Sequence, residues 1–337
     1  MKSLIQKLVE IVSPSGFEST IREAVRLEIA PLADEMSVDP MGNLIARMGP
    51  PTGYTIMLAA HVDEIGLMVT HVDENGFARF VPIGGVSSRT CIGGRVRFLN
   101  GAAGVIGVER QADGSKLPAI DQLYIDLGVD SRKDCPVRTG DVAAFDRPFL
   151  DLGKRLVSKA MDDRIGAAVL VETMRRVKPL AATLPHQLVF VFSVQEEVGL
   201  RGATTAAFGI HPDLGLAVDV TDCGDTPKGI KMDVSLGKGP AIKVRDSFMI
   251  SDPRVVRWMI GAAEKAHLPY QLEVLERGGT DASAIQLSQA GAPAGCLSIP
   301  SRYIHSPSEM VDYDDVQNAV HLLAALLTQS VDLKQYE

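Results

Sequence analysis

The chain has 337 residues, 46% hydrophobic and 23% charged, with a formal net charge of −8 at pH 7. That length allows one large core or two domains, and an acidic balance with no Lys/Arg run argues against a nucleic-acid binder. No stretch approaches the roughly 18 apolar residues of a membrane span. Four scattered cysteines, Cys91, Cys135, Cys223 and Cys296, form no C-x-x-C pair, which disfavours a disulfide framework or a thiolate zinc site and suits a reducing compartment, the cytoplasm by default.

The N-terminal stretch MKSLIQKLVEIVSPSGFE reads as an amphipathic helix rather than a signal peptide. Helical spacing covers 3–12 and 18–31 around the breaker SPSG. A short hairpin follows in MSVDPMGNLIARMG, with Gly42-Asn43 in its turn. TIMLAA, 55–60, is a continuous apolar run that fits a strand buried on both faces. From about Gly66 to Lys159 the character changes to short alternating segments between Gly-rich turns, a small all-β unit. DDRIGAAVLVETMRRV then resumes helical spacing. HQLVFVFSV, DLGLAVDV and APAGCLSI read as buried strands, among helices over 252–267, 281–289 and 312–331. Strand–helix alternation resuming after an all-β stretch implies an α/β domain of 1–65 and 160–337, interrupted by a β-rich insertion of 66–159.

Four apolar runs end in residues of the kind that hold metals. TIMLAA leads into His61-Val62-Asp63-Glu64, LVFVFSV into Gln195-Glu196-Glu197, LGLAV into Asp219, and AGCLSIP is soon followed by His305. In open α/β sheets ligands gather beyond the carboxyl ends of the strands. The pair Asp162-Asp163 opens a helix, where capping alone would explain it. Each residue has an ordinary explanation taken singly, and their joint placement is what points to a site. His, Asp and Glu without thiolates suit zinc, cobalt or manganese, and several carboxylates can hold two ions across one bridge. Adjacent glutamates allow one to ligate while its neighbour moves a proton.

His-Val-Asp-Glu occurs twice, at 61–64 and 71–74. The first copy ends a buried strand. The second leads into Asn75-Gly76, a strong hairpin signal, with His71 and Asp73 on the wet face of a half-buried strand. The first copy is the site candidate.

With these residues assembled, the chain resembles the TET-type dinuclear metalloaminopeptidases, metallopeptidase family forty-two. The resemblance rests on AAHVDEIG, KAMDDRIG, SVQEEVGLRGA, AVDVT, GGTDAS and SIPSRYIHSPSE, which occur in the family's order across essentially the whole chain. It implies a doubly wound mixed sheet of the two-zinc exopeptidase type with a PDZ-like insertion used in dimerisation, and dimers assembled into a homododecamer. It implies Asp162 as the carboxylate bridging two metal ions, with His61 and Asp219 on one and Glu197 and His305 on the other. Zinc or cobalt are the expected ions, manganese a further option. Glu196 would be the general base, Asp63 would orient His61, and the Asp162–Asp163 peptide would be cis. Gly278–Asp281 and Ser301-Arg302-Tyr303 resemble substrate-side loops.

The expected function is a metal-dependent aminopeptidase that removes N-terminal residues from peptides, through a hydroxide held by the two metals. An amidohydrolase of N-acylated amino acids is the nearest alternative. An endoglucanase, which would need facing carboxyls roughly 5–9.5 Å apart, and a non-catalytic assembly protein are weaker ones.

Overall fold

A computed structural model describes residues 1–110 and 116–336. Four parallel strands form its centre, in the order Gln187–Ser193, Thr55–His61, Leu214–Thr221 and Ala294–Arg302. Alternate side chains of these strands enter opposite cores. Ile56, Leu58, Leu188, Phe190 and Phe192 join one apolar cluster, while Met57, Ala59, Val189 and Val191 join another. Burial on both faces is why these segments read as unbroken apolar runs. The helices Lys2–Val9, Ser19–Ile29, Met161–Val177, Pro253–Lys265 and Tyr313–Leu327 pack on the first side. Arg201–Ile210 and Asp281–Gln286 pack on the second.

Antiparallel strands extend this centre. The hairpin Glu35–Val38 and Leu44–Met48 pairs with Gln187–Ser193 on one side. Glu309–Asp312, Arg155–Ser158 and Leu150–Asp151 follow Ala294–Arg302 on the other. A branch, Ala241–Arg245, runs antiparallel to Ala294–Arg302 and parallel to Gln271–Val274.

The insertion is a closed six-stranded barrel built from Gly66–Val72, Ala78–Ile83, Arg95–Phe98, Ala103–Val108, Leu123–Asp126 and Val142–Phe145. It has its own core of Leu67, Val69, Phe80, Val96, Phe98, Ile106 and Ile125. The chain returns to the large sheet earlier than the expected boundary at 159. Arg155–Ser158 pairs with Glu309–Asp312 of the large sheet, and Leu150–Asp151 pairs in turn with Leu156 and Val157.

The second His-Val-Asp-Glu copy sits in the barrel's first hairpin. His71 is exposed, and Asp73 Oδ1 accepts the amides of Asn75 and Phe77. Glu74 pairs with Arg132 at the surface.

Candidate metal centre

The carboxyl ends of the four parallel strands lie at one edge of the sheet. Ser193 is in register with His61, and Asp219 with Ser298. His61 is thus the last residue of its strand, and Glu196 and Glu197 follow Ser193 by a turn. Asp219 precedes the end of its own strand, and His305 lies three positions beyond Arg302. Asp162 reaches the same place from the start of the helix Met161–Val177, and the Asp162–Asp163 peptide is cis.

Asp162 stands between the two histidines. Its Oδ1 lies 3.0 Å from His61 Nε2, and its Oδ2 lies 3.3 Å from His305 Nε2. Glu197 Oε2 is 3.1 Å from His305 Nε2, while Glu196 Oε2 and Asp219 Oδ1 are 3.8 and 4.0 Å from His61 Nε2. Asp63 lies behind His61, whose Nδ1 is 3.2 Å from the Asp63 carbonyl oxygen. With a proton on Nδ1 donated there, Nε2 would be free to bind a metal ion in place of the proton it shares with Asp162. The structure therefore brings together His61, Asp63, Asp162, Glu196, Glu197, Asp219 and His305. All of them are buried or nearly so except His305, whose side chain is 37% exposed.

This is an unusual concentration of negative charge in a dry place. Burial, with repulsion from Asp219, pushes the Asp163 carboxyl well above its ordinary range. Glu196 is raised by burial and by Asp219 and Asp281, and Asp219 by burial and Asp162. Burial lifts Asp281 to about 6. Burial also opposes the ionisation of Asp162, but hydrogen bonds from His305 and His61 outweigh it and hold this carboxyl below the usual range. His305 is pushed up to about 12, burial being overcome by Asp162 and Glu197. Buried like charges of this kind call for cations in place of protons.

The donor set fits divalent ions. One ligand atom each from His61, Asp162 and Glu197, and from His61, Asp163 and Asp219, lie within 4.8 Å of one another. The buried oxygens Glu197 Oε1 and Asp163 Oδ2 have no hydrogen-bond partner. Nitrogen and oxygen donors without sulfur suit zinc, cobalt or manganese.

Three residues without a predicted role hold the centre in place. Glu309, four positions after His305, accepts the backbone amides of both Asp162 and His305 at 2.9 Å. Glu18 Oε1 accepts the amides of Gly16 at 2.6 Å and Gln195 at 3.1 Å. Ser15 Oγ donates to Asp63 Oδ2 at 2.7 Å, and Asp63 also accepts the amides of Glu196 at 3.0 Å and Glu197 at 3.2 Å. Three successive amides, 195 to 197, are thus fixed by two buried carboxylates, and Gln195 takes a left-handed φ of 54° to present them. Glu18→Ala should lower kcat about 10–100-fold, since a misplacement near 1 Å costs that much, with little change in KM. Glu18→Gln, which keeps an acceptor oxygen, should recover most of it. Equal loss in both variants would show that the charge, not the amide anchor, matters.

Glu64 completes the first His-Val-Asp-Glu copy. It accepts from Ser13 N and from Lys159 Nζ, 2.8 Å away, and lies 3.6 Å from Arg164, all within the protein interior. The barrel also touches the centre. A Cβ at Gly85 would sit 2.3 Å from His305 Nδ1, so only glycine lets this loop approach the ring. A cavity of about 570 Å³ opens over the centre, with Phe248, Leu275, Arg277, Gly278 and Gly279 on its farther walls. Asp225 binds the Arg302 guanidinium at 2.7 and 2.8 Å.

Two histidines set among carboxylates at the carboxyl edge of an α/β sheet form a cluster able to hold metal ions. Residues 42–322 match the family model described as M42 glutamyl aminopeptidase. The chain belongs to this family of metal-dependent exopeptidases and is an aminopeptidase. A candidate aminopeptidase of Acetivibrio thermocellus is 47% identical over 325 residues, 96% of this chain and 97% of that protein. The lysyl aminopeptidase of Pyrococcus furiosus is 36% identical, covering 97% of this chain and 96% of its own. The Pyrococcus horikoshii TET1 peptidase, described as assembling into a tetrahedron or a large octahedral shell, is 33% identical with a TM-score of 0.89, over 98% of this chain and 99% of that one.

Proposed function

We propose that this aminopeptidase removes N-terminal residues from peptides at a dinuclear metal centre, with Glu196 as the general base. The observation that carries the reading is Asp162, whose two oxygens are turned to different histidines while Glu196 sits beside them. Asp162 would be shared by the two ions, with His61 and Asp219 as the further ligands of one and Glu197 and His305 as those of the other. Two divalent ions, zinc or cobalt with manganese also accommodated, polarise the scissile carbonyl and lower the pKa of water when bound. Asp63 keeps the His61 ring in its ligating tautomer. Glu196 Oε2 takes the proton of the attacking water and passes it to the leaving nitrogen.

The barrel is read as a PDZ-like dimerisation module. Val81, Ile92, Leu99 and Val105 leave apolar surface on it, each 45–47% exposed. A homododecamer of dimers is the proposed assembly, on the likeness to the TET1 peptidase. Four free cysteines favour a reducing compartment, the cytoplasm. No described helix is long and apolar enough to cross a membrane.

A panel of free and N-acetylated aminoacyl-anilides, run on metal-free protein reloaded with Zn²⁺, Co²⁺ or Mn²⁺, tests the substrate class. Only the free amines should be hydrolysed. Faster turnover of the acetylated series would make the protein an amidohydrolase of acylated amino acids.

A further inference from the structure

Cutting a peptide requires a place for the residue beyond the scissile bond as well as for the one before it. A second cavity, of about 470 Å³, adjoins the catalytic one and shares Gly199, Leu200 and Phe248 with it. Past that common wall it is lined by Phe208, Ala284 and Leu287. Its apolar side chains are open to solvent: Phe208 is 63%, Phe248 67% and Leu287 78% exposed.

The dividing wall is built. Ser247 donates to the Gly278 carbonyl from its amide at 3.3 Å and from its hydroxyl at 2.6 Å, latching the loop that carries Phe248. The Phe248 ring lies against Gly279, where a Cβ would fall 2.5 Å from a ring carbon. On the other side, the amides of Gly199 and Leu200 donate to the Glu196 carbonyl at 2.9 and 2.8 Å, so the chain turns from the base directly into this wall.

Chemistry then decides which side of the substrate the second cavity serves. The proton carried by Glu196 ends on the leaving nitrogen, so the leaving residue has to lie against the Glu196 side of the centre. The second cavity adjoins that side, and the walls formed by Leu275 and Arg277 remain for the first residue. We infer that the apolar cavity between Leu200, Phe208, Phe248 and Leu287 receives the side chain of the peptide's second residue, the new N-terminus after cleavage, and selects large apolar or aromatic ones. The inference rests on the aminopeptidase reading with Glu196 as base.

The test uses full-length protein loaded with Zn²⁺ or Co²⁺. The first residue is fixed as the one cleaved fastest from an aminoacyl amide, a substrate with nothing beyond the scissile bond. kcat/KM is then measured for dipeptides ending in Phe, Leu, Gly or Asp. The Phe and Leu dipeptides should exceed the Gly and Asp ones by about tenfold or more. Phe208→Ser and Leu287→Ser, at exposed positions that tolerate polar side chains, should compress that ratio toward one while particle mass by light scattering stays the same. No second-residue preference in the wild type, or a preference untouched by both variants, would overturn the inference while the amide hydrolysis upheld the activity. A change of particle mass in the variants would assign the cavity to contact between copies and overturn it too. Failure of the loaded wild type to cleave the amide or any dipeptide would overturn the aminopeptidase reading and this inference with it.

Discussion

Glu196→Gln should lower kcat by about 10²–10⁴-fold, the range a positioned general base supplies, while the protein keeps its metal and its fold. The carboxamide matches the carboxylate in shape but cannot accept the proton of the attacking water. The amides of 195–197 still bond to Glu18 and Asp63, so the loop geometry should survive the change. Metal content of the purified variant, measured beside its turnover, separates loss of the base from loss of the centre. A variant with near-wild-type kcat would remove Glu196 from the reaction, and one that lost metal would make it a ligand.

His61→Ala should abolish both activity and full metal loading, whereas His71→Ala should leave both nearly unchanged. The first histidine is buried, faces Asp162 at 3.0 Å, and is held from behind by Asp63. The second is exposed on the barrel and belongs to no metal-ligating group found among the described residues. The same pair of variants separates in thermal stability. Ions that bind only the folded chain stabilise it by about 4 kcal/mol per site at a thousandfold excess over Kd. Added metal should therefore raise the melting temperature of the wild type and His71→Ala well above that of His61→Ala. Equal behaviour of the two variants in metal analysis would refute the assignment of the first copy.

The catalytic edge was legible because its chemistry interrupts a simple pattern. Apolar runs such as TIMLAA and LVFVFSV are long enough to require burial on both faces, so the His or Glu that ends each run stands at a strand terminus. Asn75-Gly76 announced its hairpin for an equally local reason, the turn chemistry of glycine. The strands Ala241–Arg245 and Gln271–Val274 escaped because they carry Lys243 and Glu273, which pair with each other in the interior and break the apolar alternation. The helix Arg201–Ile210 escaped because the residues it buries, Gly202, Ala203, Ala206 and Ala207, are all small. Arg155–Ser158 looks like a barrel strand until its hydrogen-bond partners are known, and those partners lie about 150 residues away. Glu18 and Glu309 were invisible for a similar reason. Each binds backbone amides, and no side-chain pattern in a sequence marks a distant amide as needing an acceptor. The Asp162-Asp163 pair divides between two explanations. Asp163 accepts the Gly166 amide at 3.0 Å, as a helix cap does, while Asp162 turns to the histidines.

Anomalous diffraction from crystals of the zinc-loaded protein tests the dinuclear centre most directly. Two zinc peaks should flank the Asp162 carboxylate about 3.5–4 Å apart, one beside His61 and Asp219 and the other beside Glu197 and His305. A single peak, or two peaks that do not share Asp162, would contradict it.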